Sequence, residues 1–125
     1  MARILIIEDD EIIYKMYQKL LQNHGHDVKI ATDGEAGLKT ALEEHPDLIL
    51  SDIRMPKMDG LNMLKLLRQD SWGETAKVII LTNLDTTDKI LQNVTEDHPT
   101  YYLVKANNPP ELVLEKVKEI LDTNK

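Results

Sequence analysis

The 125-residue sequence contains no cysteine, which excludes disulfide bonds, thiolate metal ligands and a cysteine nucleophile. It also lacks long apolar runs. The opening MARILIIEDD holds one short run, residues 4–7, before a stretch of acidic residues. A secretory signal needs a longer apolar core, and a membrane-spanning helix needs about 20 apolar residues. We therefore expect a cytoplasmic protein without a membrane segment.

Clustered positive charge is a second absence. The chain has 15 Lys and Arg side chains against 22 acidic ones, which gives a formal net charge of −7. Nucleic-acid backbones bind to clusters of Lys and Arg, so we do not expect direct binding to nucleic acid. The length fits a single domain over residues 1–125, and no linker, repeat or low-complexity segment divides it.

Short apolar runs alternate with amphipathic segments along the chain. Five such runs predict strands at residues 4–7, 28–31, 48–50, 78–81 and 101–104. Apolar residues at helical spacing predict helices around residues 13–21, 38–42, 61–67 and 113–121, and a weaker stripe predicts one over residues 88–96. The predicted helix caps are Asp10, Asp33, Asp59 and Asn108.

This alternation of strands and helices predicts a parallel sheet with helices on both faces, a three-layer α/β sandwich. In such sheets, ligands bind outside the carboxyl ends of the strands. The chemically active residues at those ends are Glu8 and Asp9 after the first strand, Asp52 after the third, Thr82 after the fourth and Lys105 after the fifth.

If the strand order is 2-1-3-4-5, Asp52 lies beside Glu8 and Asp9. Like charges about 4 Å apart repel by about 4 kcal/mol at an effective dielectric constant of about 20, so the cluster needs a cation or a proton. Oxygen ligands without histidine or cysteine favour Mg²⁺, which often completes its coordination with a phosphoryl oxygen. Lys105 and Thr82 would supply a positive charge and a hydrogen-bond donor to that anion.

Four segments, ILIIEDD, LILSDIRMPKMDG, VIILTN and YYLVK, stand at matching strand ends. Together they resemble the receiver domain of bacterial two-component response regulators, over essentially the whole chain. The resemblance implies a flavodoxin-like, doubly wound sheet of five parallel strands in the order 2-1-3-4-5, as in single-domain chemotaxis members. It also implies a phosphorelay function.

The resemblance implies a role for each residue around the acidic cluster. Asp52 matches the phosphoacceptor, which takes a phosphoryl group from a sensor histidine kinase, a phosphotransfer protein or a small donor to give an acyl phosphate. Asp9 matches the direct Mg²⁺ ligand and Glu8 the acid that acts through water. Arg54 matches the position whose backbone carbonyl group completes the metal site.

The remaining implied roles concern the response to phosphorylation. Lys105 matches the lysine that pairs with the phosphoryl group, and Thr82 matches the switch hydroxyl. Tyr102 matches the aromatic residue that turns inward, so that binding to a downstream output protein or domain changes. Such a chain is a signalling domain and not an enzyme for another substrate, although it catalyses its own phosphorylation and dephosphorylation.

The sequence departs from the family pattern at two positions. Ala106 replaces the proline that usually follows the lysine through a cis bond, and a cis bond without proline costs about 2.5–4 kcal/mol; the loop is either strained or differently routed. Asn83 stands where the family has a small residue, and it would crowd the phosphoryl pocket or donate a hydrogen bond to it. No effector domain follows, which fits a stand-alone receiver or a piece of a longer regulator.

Three other functions compete with this interpretation. A flavodoxin-like cofactor binder would hold a phosphate after the first strand, where Glu8 and Asp9 would repel it. A phosphatase of the haloacid dehalogenase type expects a second acid two residues after its nucleophile, and Arg54 stands there. The third alternative is a degenerate receiver that binds partners without phosphorylation.

Overall fold

The computed structural model describes residues 2–53, 57–82, 101–104 and 109–122. The strands are β1 (Arg3–Ile7), β2 (Asp27–Ala31), β3 (Leu48–Asp52), β4 (Val78–Thr82) and β5 (Tyr101–Val104). The helices in these ranges are α1 (Glu11–Asn23), α2 (Gly34–Glu44), α3 (Gly60–Arg68) and α4 (Pro110–Asp122), with one 3₁₀ turn at Gly73–Thr75. All five predicted strands are confirmed, whereas the helix predicted over residues 88–96 lies outside the described residues.

The five strands form one parallel sheet in the order β2-β1-β3-β4-β5. This confirms the doubly wound, flavodoxin-like arrangement that the resemblance implied. In the register of the sheet, Ile7 of β1 lies opposite Ser51 of β3, and Asp52 lies opposite Leu81 of β4. The carboxyl ends of β1, β3 and β4 therefore lie side by side at the same end of the sheet.

Helices cover both faces of the sheet, so the core has two halves. On one face, Ile6 and Leu50 pack with side chains of α1 and α4 such as Leu21 and Val117. On the other face, a second apolar cluster joins the alternate strand residues to α2 and α3. Because the central strands are buried on both sides, they carry continuous apolar runs instead of an alternating pattern.

Aspartate side chains cap the first three helices, as the sequence predicted. Asp10 accepts a hydrogen bond from the amide of Ile12 at 3.0 Å. Asp33 and Asp59 each accept one from the residue three positions later at 2.7 Å. A cap of this kind contributes about 1 kcal/mol. The predicted cap Asn108 lies outside the described residues, but Pro110 does open α4, where its missing N–H has no partner to lose.

The segment before β4 is held by an aromatic contact. The rings of His45 and Trp72 stack with their centroids 4.3 Å apart and their planes 7° from parallel. His45 ends α2 in the left-handed region, at φ 49°.

None of the helices in the described ranges has the length and apolar character that crossing a lipid bilayer requires.

Candidate functional site

Three carboxylates meet at the carboxyl edge of the sheet. One oxygen atom from each of Glu8, Asp9 and Asp52 lies within 4.8 Å of those of the other two. Glu8 and Asp9 follow β1, and Asp52 is the last residue of β3. These strands pair directly, so the strand order brings the acids together as expected. In the described part of the chain, this is the one group of three or more acidic or histidine side chains placed to share a metal ion.

The three acids differ in their exposure to solvent. Glu8 is only 4% exposed, whereas Asp52 is partly buried and Asp9 is exposed. Burying a carboxylate is costly unless hydrogen bonds or opposite charges surround it. One such bond comes from the backbone N–H of Asp10, which donates to Glu8 Oε1 at 3.2 Å. Solvent exposure therefore increases across the cluster, from the buried Glu8 to the exposed Asp9.

The cluster also concentrates negative charge. Two negatively charged oxygen atoms within 4.8 Å of each other repel by at least about 3 kcal/mol at an effective dielectric constant of about 20. This repulsion is relieved when a cation binds between them. The donor set consists of carboxylate oxygens without nitrogen or sulfur, which is the kind of site that suits Mg²⁺. The residues present therefore fit a magnesium ion.

Hydrogen bonds fix the end of β3 around Asp52. The backbone N–H of Ile53 donates to Asp52 Oδ1 at 2.7 Å, which orients the carboxylate. The Ser51 hydroxyl donates to the Asp52 carbonyl oxygen at 2.9 Å. The first residue of α3, Gly60, donates its N–H to the Ile53 carbonyl oxygen at 2.7 Å. The strand end, its side chain and the start of α3 thus form one unit.

The loop between β3 and α3 rests on the start of α2. The N–H of Gly34 donates to the Met58 carbonyl oxygen at 3.1 Å. A Cβ atom at residue 34 would lie only 2.0 Å from that oxygen, so glycine is required there. Lys57 adopts φ 69°, in the left-handed region, and its ammonium group lies 3.9 Å from the Asp33 carboxylate. These contacts hold residues 57 and 58 against the start of α2.

The described residues place part of the predicted site. Glu8, Asp9 and Asp52 lie together as described above. The backbones of Thr82 and Tyr102 belong to β4 and β5, the two strands beyond β3, but their side chains lie outside the description. The other four predicted or departing positions are also outside the described residues: Arg54, Asn83, Lys105 and Ala106.

One residue of this site is not predicted by the sequence pattern. Tyr17 of α1 is only 4% exposed, and it lines a small cavity together with Glu8, Asp52 and Leu81. Burial raises the pKa of the Tyr17 phenol, and the negative charge of Glu8 raises it further. Its spacing from Ile13 and Leu20 places Tyr17 in the apolar stripe of α1. The available signal was its hydroxyl group, a polar atom within an apolar helical stripe.

Comparisons with known proteins agree with this geometry. Residues 4–117 match the family model described as the response regulator receiver domain. The alkaline phosphatase synthesis transcriptional regulatory protein PhoP of Bacillus subtilis is 39% identical over 120 residues, which are 95% of this chain and 48% of PhoP. The DNA-binding response regulator MtrA of Mycobacterium tuberculosis is 34% identical over 112 residues, which are 89% of this chain and 47% of MtrA. The chain spans about half the length of these curated relatives.

Solved structures share the fold over nearly the whole chain. The chemotaxis response regulator CheY4 of Vibrio cholerae superimposes with a TM-score of 0.85 and 31% identity, covering 96% of this chain and 98% of that one. The receiver domain of the Francisella response regulator 1452 gives a TM-score of 0.89 and 26% identity, covering 100% of both chains. The similarity thus includes the sheet edge on which the three carboxylates lie.

Proposed function

This chain belongs to the response regulator receiver family of two-component systems, and we propose that it accepts a phosphoryl group on Asp52. The observation that carries the proposal is the position of this carboxylate, at the end of β3 and within 4.8 Å of oxygen atoms of Glu8 and Asp9. A carboxylate nucleophile approaching an anionic phosphoryl group needs its surroundings neutralised. The acidic cluster is suited to bind a cation, which would neutralise the negative charge around Asp52.

The proposed reaction is a transfer between two covalent carriers. A carboxylate oxygen of Asp52 attacks the phosphorus atom of a phosphohistidine, and an O–P bond forms while the P–N bond breaks. The electron pair of the broken bond returns to the imidazole nitrogen. Later, water attacks the phosphorus atom and the O–P bond breaks, which restores the Asp52 carboxylate and releases inorganic phosphate and a proton.

Glu8, Asp9 and Asp52 would hold Mg²⁺, together with the backbone carbonyl group of Arg54. By the family resemblance, the exposed Asp9 would coordinate the ion directly and the buried Glu8 would contact it through a water molecule. Bound Mg²⁺ neutralises the carboxylates and stabilises charge on the phosphoryl oxygens. Removing one acid is therefore expected to weaken metal binding and phosphorylation together.

Lys105, Thr82 and Tyr102 complete the proposed site on the strength of the family resemblance. Lys105 would pair with the phosphoryl oxygens, and Thr82 would donate its hydroxyl hydrogen bond to them. Phosphorylation adds a charge of about −1.5 to −2, which would draw Thr82 toward Asp52 and let Tyr102 turn inward. The surface that this movement changes would then bind the output partner.

The proposed partners follow from the same role. A sensor histidine kinase or a phosphotransfer protein would supply the phosphoryl group, and a downstream output protein or domain would respond to it. PhoP and MtrA are named as a transcriptional regulatory protein and a DNA-binding response regulator. We propose that residues 1–125 act as one cytoplasmic receiver domain that does not itself contact nucleic acid, since 22 acidic side chains outnumber 15 basic ones.

The proposal is tested with acetyl phosphate as a small phosphodonor. The protein is incubated with acetyl phosphate and Mg²⁺, and its intact mass is measured with and without a chelator. We expect one phosphoryl adduct that requires Mg²⁺ and is lost in Asp52→Asn. Asp10→Asn is the matched control, because asparagine still caps α1 and the substitution removes one charge next to the site.

The degenerate-receiver alternative makes the opposite prediction. Such a protein would give no adduct with acetyl phosphate and no response to beryllofluoride, a phosphoryl mimic, yet it would still bind its partner. An adduct that persists in Asp52→Asn would contradict the assignment of the phosphoacceptor to Asp52.

A further inference from the structure

Tyr17 places a polar group beneath the acidic cluster. It lies on the inner face of α1, is 4% exposed, and packs with Ile6 and Leu50 of the sheet. The same side chain lines the small cavity formed with Glu8 and Asp52. Its ring therefore belongs to the apolar core, while the cavity beside it belongs to the site.

The hydroxyl group of Tyr17 has no hydrogen-bond partner among the residues that the structure describes. A buried tyrosine hydroxyl usually finds a partner, because leaving it unsatisfied is costly. The negative charge of Glu8 interacts electrostatically with the Tyr17 phenol, and both side chains line the same cavity. A phenol O–H donates and a carboxylate accepts, so the two groups are chemically complementary.

A residue needed only for packing would not require this oxygen. Phenylalanine would fill nearly the same volume among Ile6, Leu50 and Leu81 without adding a polar atom to the core. Carboxylates that ligate metals are commonly held in place by further hydrogen bonds, and loss of such a bond typically weakens metal binding about 10–100-fold. Because Glu8 is buried, a hydrogen bond to its carboxylate is stronger than the same bond would be in water.

We propose that Tyr17 is a positioning residue of the metal centre, whose hydroxyl donates to the Glu8 carboxylate through one water molecule in the cavity between them and keeps Glu8 oriented toward the cation. This inference rests on the proposed function, because it assumes that the three carboxylates bind Mg²⁺. Tyr17 would contact neither the phosphoryl group nor the ion. It would act only through Glu8.

The first test compares Mg²⁺ binding in two variants of the same helix by calorimetric titration. Tyr17→Phe removes the hydroxyl and keeps the ring, and we expect its Mg²⁺ affinity to fall about 10-fold or more. Tyr14→Phe is the matched control, since Tyr14 is a partly buried tyrosine of α1 that packs on the same core. Its affinity should stay within about twofold of the wild type. Unchanged affinity in Tyr17→Phe would overturn the inference, even if the variant unfolds more easily.

A double substitution separates positioning from a general loss of stability. If Tyr17 acts through Glu8, then adding Tyr17→Phe to Glu8→Gln should weaken Mg²⁺ binding far less than Tyr17→Phe does alone. Equal losses in both backgrounds would show that Tyr17 does not work through Glu8.

A spectroscopic test covers the case in which Tyr17→Phe does not fold. In wild-type protein with ¹³C-labelled tyrosine, the ring-carbon resonance of Tyr17 next to its hydroxyl should shift when Mg²⁺ is added, and the resonance of Tyr14 should not. No shift at Tyr17 while Mg²⁺ binds would contradict the inference. Failure of the wild type to bind Mg²⁺ would instead contradict the proposed function itself.

Discussion

The backbone carbonyl oxygen of Asp52 lies 2.0 Å from the point that a Cβ atom on Gly60 would occupy. The first residue of α3 therefore lies directly against the last residue of β3. Because a side chain has no room there, the start of α3 and the carboxylate end of the strand have one fixed relative position. Movements of α3 and of Asp52 are coupled by this contact.

Gly60→Ala is the first test of that coupling. Alanine normally favours a helix over glycine by about 1 kcal/mol, but here its Cβ atom would displace the Asp52 backbone. We expect the free energy of unfolding to fall by about 2 kcal/mol instead, and Mg²⁺ affinity to fall with it. Denaturant titrations and Mg²⁺ titrations measure the two effects.

Gly25→Ala is the control for Gly60→Ala. Gly25 follows α1 at its other end and has φ +86°, and a Cβ atom there would meet nothing within 4 Å. Alanine at this position costs about 1 kcal/mol through its left-handed backbone alone, so stability should fall while Mg²⁺ affinity does not. Gly60→Ala with stability and affinity equal to the wild type would contradict the tight contact.

Two adjacent aspartates, Asp9 and Asp10, should respond oppositely to substitution. Without metal, Asp9→Asn removes a charge from a cluster whose oxygens lie within 4.8 Å, so the free energy of unfolding should rise by about 1 kcal/mol. Asp10→Ala removes the α1 cap and should lower it by about 1 kcal/mol. Thermal unfolding in the presence of a chelator measures both changes.

Adding Mg²⁺ should reverse the order of the same two variants. A ligand at 100 times its dissociation constant stabilises the folded state by about 2.7 kcal/mol. Asp10→Ala should gain this stabilisation, and Asp9→Asn should lose most of it. If Mg²⁺ stabilises both variants equally, then Asp9 is not a metal ligand.

The stability of the protein should fall at mildly acidic pH because of His26. Burial lowers the pKa of His26, as do the positive charges of the N-terminal amino group, His24 and Lys118. The neutral ring also accepts a hydrogen bond from the Ala2 N–H at 3.3 Å. The unfolded chain binds this proton near pH 6.5, so the stabilisation is complete above that pH. It is lost as the pH falls toward the lower folded-state pKa.

The comparison of wild type with His26→Gln isolates this effect. Denaturant titrations between about pH 7.5 and about pH 5.5 should show a shallower loss of stability in the variant, because its residue 26 does not titrate. Equal slopes for the two proteins would remove His26 from the account.

His45 should affect the free energy of unfolding in two opposite ways. Its ring stabilises the fold by stacking on Trp72, whereas its left-handed backbone destabilises the fold. His45→Ala removes the stack on Trp72 and should lower the free energy of unfolding by about 1 kcal/mol. His45→Gly loses the same stack but relieves the left-handed backbone at φ 49°, so it should be about 1 kcal/mol more stable than His45→Ala.

Trp72 is the single tryptophan, so its fluorescence follows unfolding and should change in both His45 variants. A glycine variant less stable than the alanine variant would show that the left-handed backbone at residue 45 carries no strain.

Most of the fold was predictable because its central strands, β1, β3 and β4, are almost completely buried. Leu48, Ile49 and Leu50 form an apolar run of the kind that a covered parallel strand carries. The order of the strands was not predictable from the spacing of the apolar runs, because an apolar run does not indicate which strands pair with it in the sheet. The proximity of Asp52 to Glu8 and Asp9 depended on that order, and the family resemblance supplied it.

The site details that the sequence did not predict depend on packing in three dimensions. The close approach of Gly60 to Asp52 and of Gly34 to Met58 joins residues from different elements. Tyr17 fits an apolar helical stripe as well as leucine would. Helical periodicity therefore predicts that its ring is buried, but it does not predict a role for its hydroxyl group.

If Asp52 carries the phosphoryl group as an acyl phosphate, chemical reduction will mark that residue. After incubation with acetyl phosphate and Mg²⁺, borohydride reduces an aspartyl phosphate to homoserine, which peptide mass spectrometry assigns to a single position. We predict homoserine at residue 52 alone, dependent on Mg²⁺. Absence of homoserine, or its appearance at another aspartate, would show that Asp52 is not the phosphoacceptor.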